Sequence, residues 1–138
     1  MKTKLLMAVS AILMGLTGVI LSFFPQKVAN ALGLGGLNAI FFQILGALYF
    51  GFAMLNWTAK ANLMGGIYSR PVAIGNFTHF LIGGLALIKF AFEDINLALF
   101  GVGAAIYLTF AILFGYVLFT GPVFAESGSL KVDDLNER

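Results

Sequence analysis

The chain contains no cysteine, and no Asp or Glu falls inside any of its long apolar runs. The first absence rules out disulfides, a thiolate nucleophile and Cys-ligated metal or iron–sulfur centres. The second removes the carrier that a proton-coupled four-helix drug exporter needs within a span. Histidine occurs once, as His79, so a three-ligand catalytic metal site and a Ser–His–acid triad both lack their parts. Haem held between helices needs two axial ligands, which one histidine supplies only across a homodimer or with a methionine. Charge is sparse: 10% of the 138 residues are Asp, Glu, Lys or Arg, against roughly a quarter in an ordinary soluble domain. The eight basic residues are scattered singly, which reads as a topology signal, and no nucleic-acid partner is expected.

What fills the chain instead is apolar: 60% of residues are hydrophobic and the mean hydropathy is +0.98. About 20 apolar residues span a bilayer, and four such runs follow one another with short connections. The first, Leu5 to Phe24, is longer than the apolar core of a usual signal peptide. Although Ala29-Asn30-Ala31 resembles a cleavage pattern, the run is read as an uncleaved first span. Its Ala8, Ala11, Gly15, Gly18 and Ser22 form a stripe of small residues, the expected packing face. Pro25 ends the span, and Gln26 to Leu32 reads as a short interfacial helix with Gly33 as its C′ residue.

The second span is expected from Leu37 to Trp57, with Gln43, Gly46, Ala47, Phe50, Met54 and Trp57 on one face. Asn56 and Trp57 fall where an interfacial belt belongs, and Tyr68 reads as another anchor in the connection that follows. Pro71 opens the third span, which runs to about Phe92 and carries Val72, Gly75, Asn76, His79, Gly83, Ala86 and Phe90 on one face. Asp94 is placed to cap the fourth span, Leu97 to Phe119, whose expected face is Gly101, Ala104, Ala105, Leu108, Ala111, Ile112 and Gly115. The 15 phenylalanines, all but Phe124 spread over the four spans, receive no role. The fold expected is an all-α integral membrane protein: an antiparallel four-transmembrane-helix bundle over 1–122, with a short interfacial helix after the first span and a polar cytoplasmic tail over 123–138.

Orientation follows from the basic residues near the span ends. With the N-terminus inside, Lys2, Lys4, Lys60, Arg70, Lys131 and Arg138 are cytoplasmic and Lys27 and Lys89 are not, six against two. Both termini are therefore expected in the cytoplasm, in a bacterial inner membrane.

His79 lies about 12 Å into the third span at the helical rise. An ionisable residue at that depth is a functional-site hypothesis by default. The competing reading is a neutral histidine hydrogen-bonded to a neighbouring helix, and both stay open from sequence. Gln43 and Asn76 suit the same bridging role, because amides join helices without titrating.

Spans one to three also carry Pro25 with Val28-Ala29-Asn30-Ala31-Leu32-Gly33-Leu34, then Gly46-Ala47-Leu48-Tyr49, and then Arg70-Pro71 leading to Asn76 and His79. With the four-span layout, these strings resemble the DoxX-like group of small bacterial membrane proteins. The resemblance implies a four-helix membrane fold and an accessory role beside membrane oxidoreductases or in assembly, and it carries no catalytic residue across.

The inventory points to a non-enzymatic protein. It is expected to bind a lipid-like or small apolar ligand, a quinone among the candidates, in a cavity lined by Gln43, Trp57, Asn76 and His79. The other form of this reading is an accessory subunit of a membrane complex, with membrane lipids, a second copy or a membrane protein as partner. No catalytic residue, metal site or named cofactor is assigned. A small oligomeric transporter or channel is the alternative, and a histidine acid/base isomerase is the sole enzyme class the residues fit.

Overall fold

Five helices make up the regular structure: α1 (Thr3–Phe23), α2 (Pro25–Ala31), α3 (Ala39–Ala59), α4 (Ser69–Glu93) and α5 (Leu97–Thr120). The computed structural model describes residues 3–60, 69–93 and 97–120, and no strand occurs among them. Helices α1, α3, α4 and α5 are each long and apolar enough to cross a membrane, so the chain is an all-α, multi-pass membrane protein. In lipid a backbone must satisfy its own polar groups, which makes an apolar run of this length helical despite internal glycines such as Gly15 and Gly18. The expected Asp94 cap, the Tyr68 anchor and the tail fall outside the described residues.

Helix boundaries follow local chemistry. Pro25 cannot continue α1 and instead occupies the first turn of α2, where its missing N–H costs nothing. Gly33 ends α2 with φ +72°, the single left-handed glycine among the described residues. Its N–H donates to Asn30 O at 3.1 Å, and the Leu34 N–H donates to Ala29 O at 2.7 Å. That pair of bonds is a Schellman motif, and it turns the chain toward α3. Asn38 then caps α3 by accepting from the Ile40 N–H at 3.1 Å.

The long helices are antiparallel neighbours in the order α1, α3, α4, α5, with α5 returning to α1. Residue pairing shows the direction: Gly15 faces Ala53 while Gly18 faces Gly46, and Phe77 faces Gly115 while Leu87 faces Gly103. Two helix pairs pack far more closely than the others, α1 with α3 and α4 with α5. A Cβ placed on Gly18 would lie 2.8 Å from both the Gly46 carbonyl oxygen and the Phe50 nitrogen, so here the backbones themselves touch. On the other side, a Cβ on Gly83 would lie 2.6 Å from Cε1 of Tyr107. Small residues allow this proximity because lipid gives helices no hydrophobic reason to associate, leaving packing and hydrogen bonds to hold them.

The expected small-residue stripe of α1 packs on α3, with Gly15 against Ala53 and with Gly18 and Ser22 against Gly46. For α3 the expected face is wrong except at Gly46: the buried residues are Phe42, Gly46, Ala53, Asn56 and Ala59. Asn56, one turn from the end of α3, is fully buried within the bundle. The helix is apolar on every side, so polarity carries no phase information, and its rotation is set by the Gly46 contact and the Asn56 amide. In α4 the buried set Ala73, Asn76, Phe80 and Ala91 is centred about one residue from the expected face. In α5 Ala105 and Ile112 are exposed, while Phe100, Phe114 and Val117 are buried.

Candidate functional site

Two levels of the bundle interior carry chemistry. The first lies toward the end that holds the start of α1. There Ser10 of α1, Asn56 of α3 and Asn76 of α4 are each 0% exposed. The two amides pair reciprocally: Asn56 Nδ2 donates to Asn76 Oδ1 at 2.8 Å and Asn76 Nδ2 donates to Asn56 Oδ1 at 2.6 Å. Each amide also has a partner on its own side. Asn56 Nδ2 donates to Ser10 Oγ at 3.1 Å and lies 3.7 Å from Met14 Sδ, and Asn76 Nδ2 donates to Val72 O at 2.8 Å. The Ser10 hydroxyl donates to Met7 O at 3.0 Å, one helical turn back. Every side-chain polar atom of this cluster has a partner, as a buried polar group at membrane depth requires.

The second level is one turn deeper, about 4.5 Å along α4 at the helical rise. His79 stands there among aromatic rings, at centroid distances of 5.0 Å from Phe52, 5.3 Å from Tyr49, 5.3 Å from Phe80 and 5.7 Å from Tyr107. Tyr49 and Phe80 meet it edge to face, at interplanar angles of 85° and 76°. Behind His79, Phe80 is fully buried and stacks on Phe110 at 4.9 Å and on Phe114 at 5.8 Å, which fixes the wall on the α5 side. Tyr107 is held over Gly83, where no other residue would leave room for its ring. Tyr49 and Tyr107 each lie ten residues into their helices, as His79 does, so the three share the middle of the bundle.

The His79 ring is partly buried, and its Nε2 is fully enclosed without a hydrogen-bond partner. It is the one such side-chain atom among the described residues. An imidazole nitrogen is always a donor or an acceptor, and leaving one unpaired in an apolar setting costs about 1–3 kcal/mol. Aromatic edges and faces offset little of that, since contacts of N–H with a ring are weak. The chemistry on offer at Nε2 is a hydrogen bond, given or received, inside an aromatic box. Among the described residues no three of His, Asp and Glu come together to hold a metal.

The four residues expected to line one cavity do not come together. Asn76 and His79 are adjacent levels of the same interior, but Gln43 and Trp57 point outward and are exposed. Gln43 is nine residues from Phe52, or about 180° around α3, and Trp57 is about 140° from it. Lys60 Nζ lies over the Trp57 ring, a cation–π contact at the end of the helix. Asn76 is taken up by its amide partner, which is the helix-bridging role that sequence left open for it.

Sequence reasoning missed Ser10, Asn56, Tyr49, Phe52 and Tyr107. One signal was present: tyrosine belongs in the interfacial belts, and Tyr49 and Tyr107 instead fall in mid-span. No family model, no curated protein and no solved structure matches this chain.

Proposed function

We propose that this protein binds a lipid-like or small apolar molecule at mid-membrane, against His79, and serves a membrane complex without catalysing a reaction itself. The observation that carries the reading is the partnerless Nε2 of His79 inside a box of four aromatic rings. A molecule with a flat or flexible apolar body and one hydrogen-bonding group, such as a quinone carbonyl, satisfies that nitrogen and matches the walls. The box lies where α3 meets α4, between the two tightly packed pairs, so the membrane itself is the reservoir from which such a ligand comes.

Binding is favoured over conduction by the other half of the interior. Beyond His79, the buried side chains among the described residues are Leu21, Ala29, Phe42, Ala91, Phe100 and Ala104, which offer no polar group for an ion to follow. The DoxX-like resemblance supports an accessory role, and the six-to-two distribution of basic residues supports both termini in the cytoplasm of a bacterial inner membrane.

The test is native mass spectrometry of gently extracted protein, wild type beside His79→Phe. The wild type is expected to retain a small molecule that the variant, equally folded, does not. A wild type that carries nothing after mild extraction, or a variant that carries the same molecule, overturns the reading.

A further inference from the structure

Within each tight pair the contact is close, with backbone on backbone at Gly18 and Gly46 and Tyr107 seated on Gly83. Between the pairs the joint is of another kind. Among the described residues, the side-chain hydrogen bonds that cross from α3 to α4 all belong to the Asn56–Asn76 amide pair. One turn deeper the same seam is filled by His79 against Phe52 and Tyr49, ring on ring and without a hydrogen bond.

The amide pair has a property that a purely structural bridge does not need. Each asparagine holds a second bond inside its own helix pair, Asn56 to Ser10 Oγ and Asn76 to Val72 O. Parting the two amides therefore leaves each side chain anchored and still aimed across the gap, ready to pair again. It frees one N–H and one carbonyl on each side, beside the unpaired His79 nitrogen.

We infer that the α3/α4 seam is a lateral gate, latched by the reciprocal Asn56–Asn76 amide pair, through which a ligand passes from the bilayer to His79. The two helix pairs move as rigid units about the seam. This rests on the ligand reading for what passes through, but the motion itself is a property of the helices and is measurable without a ligand.

The chain has no cysteine, so spin labels go where they are placed. Labels at Leu55 and Ile74, both exposed and on either side of the seam, report its opening. Labels at Leu16 and Leu48, exposed on α1 and α3, report the inside of one pair. Distances by pulsed electron–electron resonance in nanodiscs are compared for the unsubstituted background and for Asn76→Ser, whose hydroxyl keeps a bond to its own helix but does not reach Asn56.

A second, longer population across the seam, larger in Asn76→Ser, with the within-pair distance unchanged, is the result expected. Where the protein retains a molecule, Asn76→Ser releases it about tenfold faster, as follows from removing one hydrogen-bonded contact from the closed state. A single narrow seam distance, the same in both proteins, overturns the gate whether or not a ligand is retained. So does equal lengthening within and across the pairs, and so does loss of the helical fold in both Asn76→Ser and Asn76→Ala. An opening seam in a protein that retains no molecule keeps the gate and overturns the ligand reading alone.

Discussion

Helix α3 meets a neighbour on two faces, and the two contacts are made of different material. Toward α1 it offers Gly46 and Ala53, and the backbones approach until no further atom fits. Toward α4 it offers Tyr49, Phe52 and Asn56, whose side chains fill the space and hydrogen-bond across it. Both faces are cut from one apolar helix in which average polarity distinguishes nothing. Glycine brings α3 and α1 together backbone on backbone, whereas α3 meets α4 through side chains, an amide pair at one level and aromatic rings at the next. The second joint is also where the partnerless His79 Nε2 lies, at a cost of about 1–3 kcal/mol in an apolar setting.

Substitutions can break this comparison from either side. Gly46→Leu strikes the α1/α3 joint: its Cβ alone would lie 2.8 Å from the Gly18 carbonyl oxygen and from the Ser22 nitrogen. It is expected to cost about 3 kcal/mol or more, the upper range of overpacking, read as loss of cooperative thermal unfolding in detergent. Next is Phe80→Ala, which empties the fully buried ring behind His79. In lipid the transfer term falls away and the cavity term remains, about 2 kcal/mol, measurable by denaturation in mixed micelles.

At the seam the effects are smaller. Asn56→Ala, Asn76→Ala and the double variant form a cycle whose coupling energy is expected near 1 kcal/mol, within the range of about 0.6–2 found for membrane hydrogen bonds. A coupling of zero would make the amide pair an incidental contact. His79→Phe removes the unpaired nitrogen while keeping a ring in the box, so the apo protein is expected to be as stable as wild type or more stable by about 1 kcal/mol. A clear loss of apo stability would show that the nitrogen had a protein partner. Smallest is Gly51→Leu, on a face of α3 where an added Cβ meets nothing. Its cost is expected within about 0.5 kcal/mol, and a large cost there would reveal a packed neighbour on that face.

The spans and their ends were legible in the sequence, because length, hydropathy, Pro25 and Gly33 act locally and each has one mechanical consequence. The α1 packing face was legible too, since five small residues on one stripe leave no competing phase. The rotation of α3 was not: Gln43 and Asn56 are both single amides in an apolar helix, and which one turns inward depends on Ser10 and Asn76 of other helices. His79 stood out as the only ionisable group at depth, yet its box did not, because Phe52 and Tyr107 become its neighbours through contacts between helices distant in sequence. Trp57 shares an expected face of α3 with Gln43, and the helix turns both outward.

One histidine per chain makes a direct measurement practical. Protein labelled with ¹⁵N histidine gives a single pair of imidazole signals, recorded after mild extraction and again after exhaustive delipidation. The Nε2 signal is expected to move when the retained molecule is stripped and to return when the extracted lipid fraction is added back, and Asn76→Ser is expected to speed both changes. An Nε2 signal that stays fixed through stripping and add-back would contradict the central claim that His79 is where this protein meets its ligand.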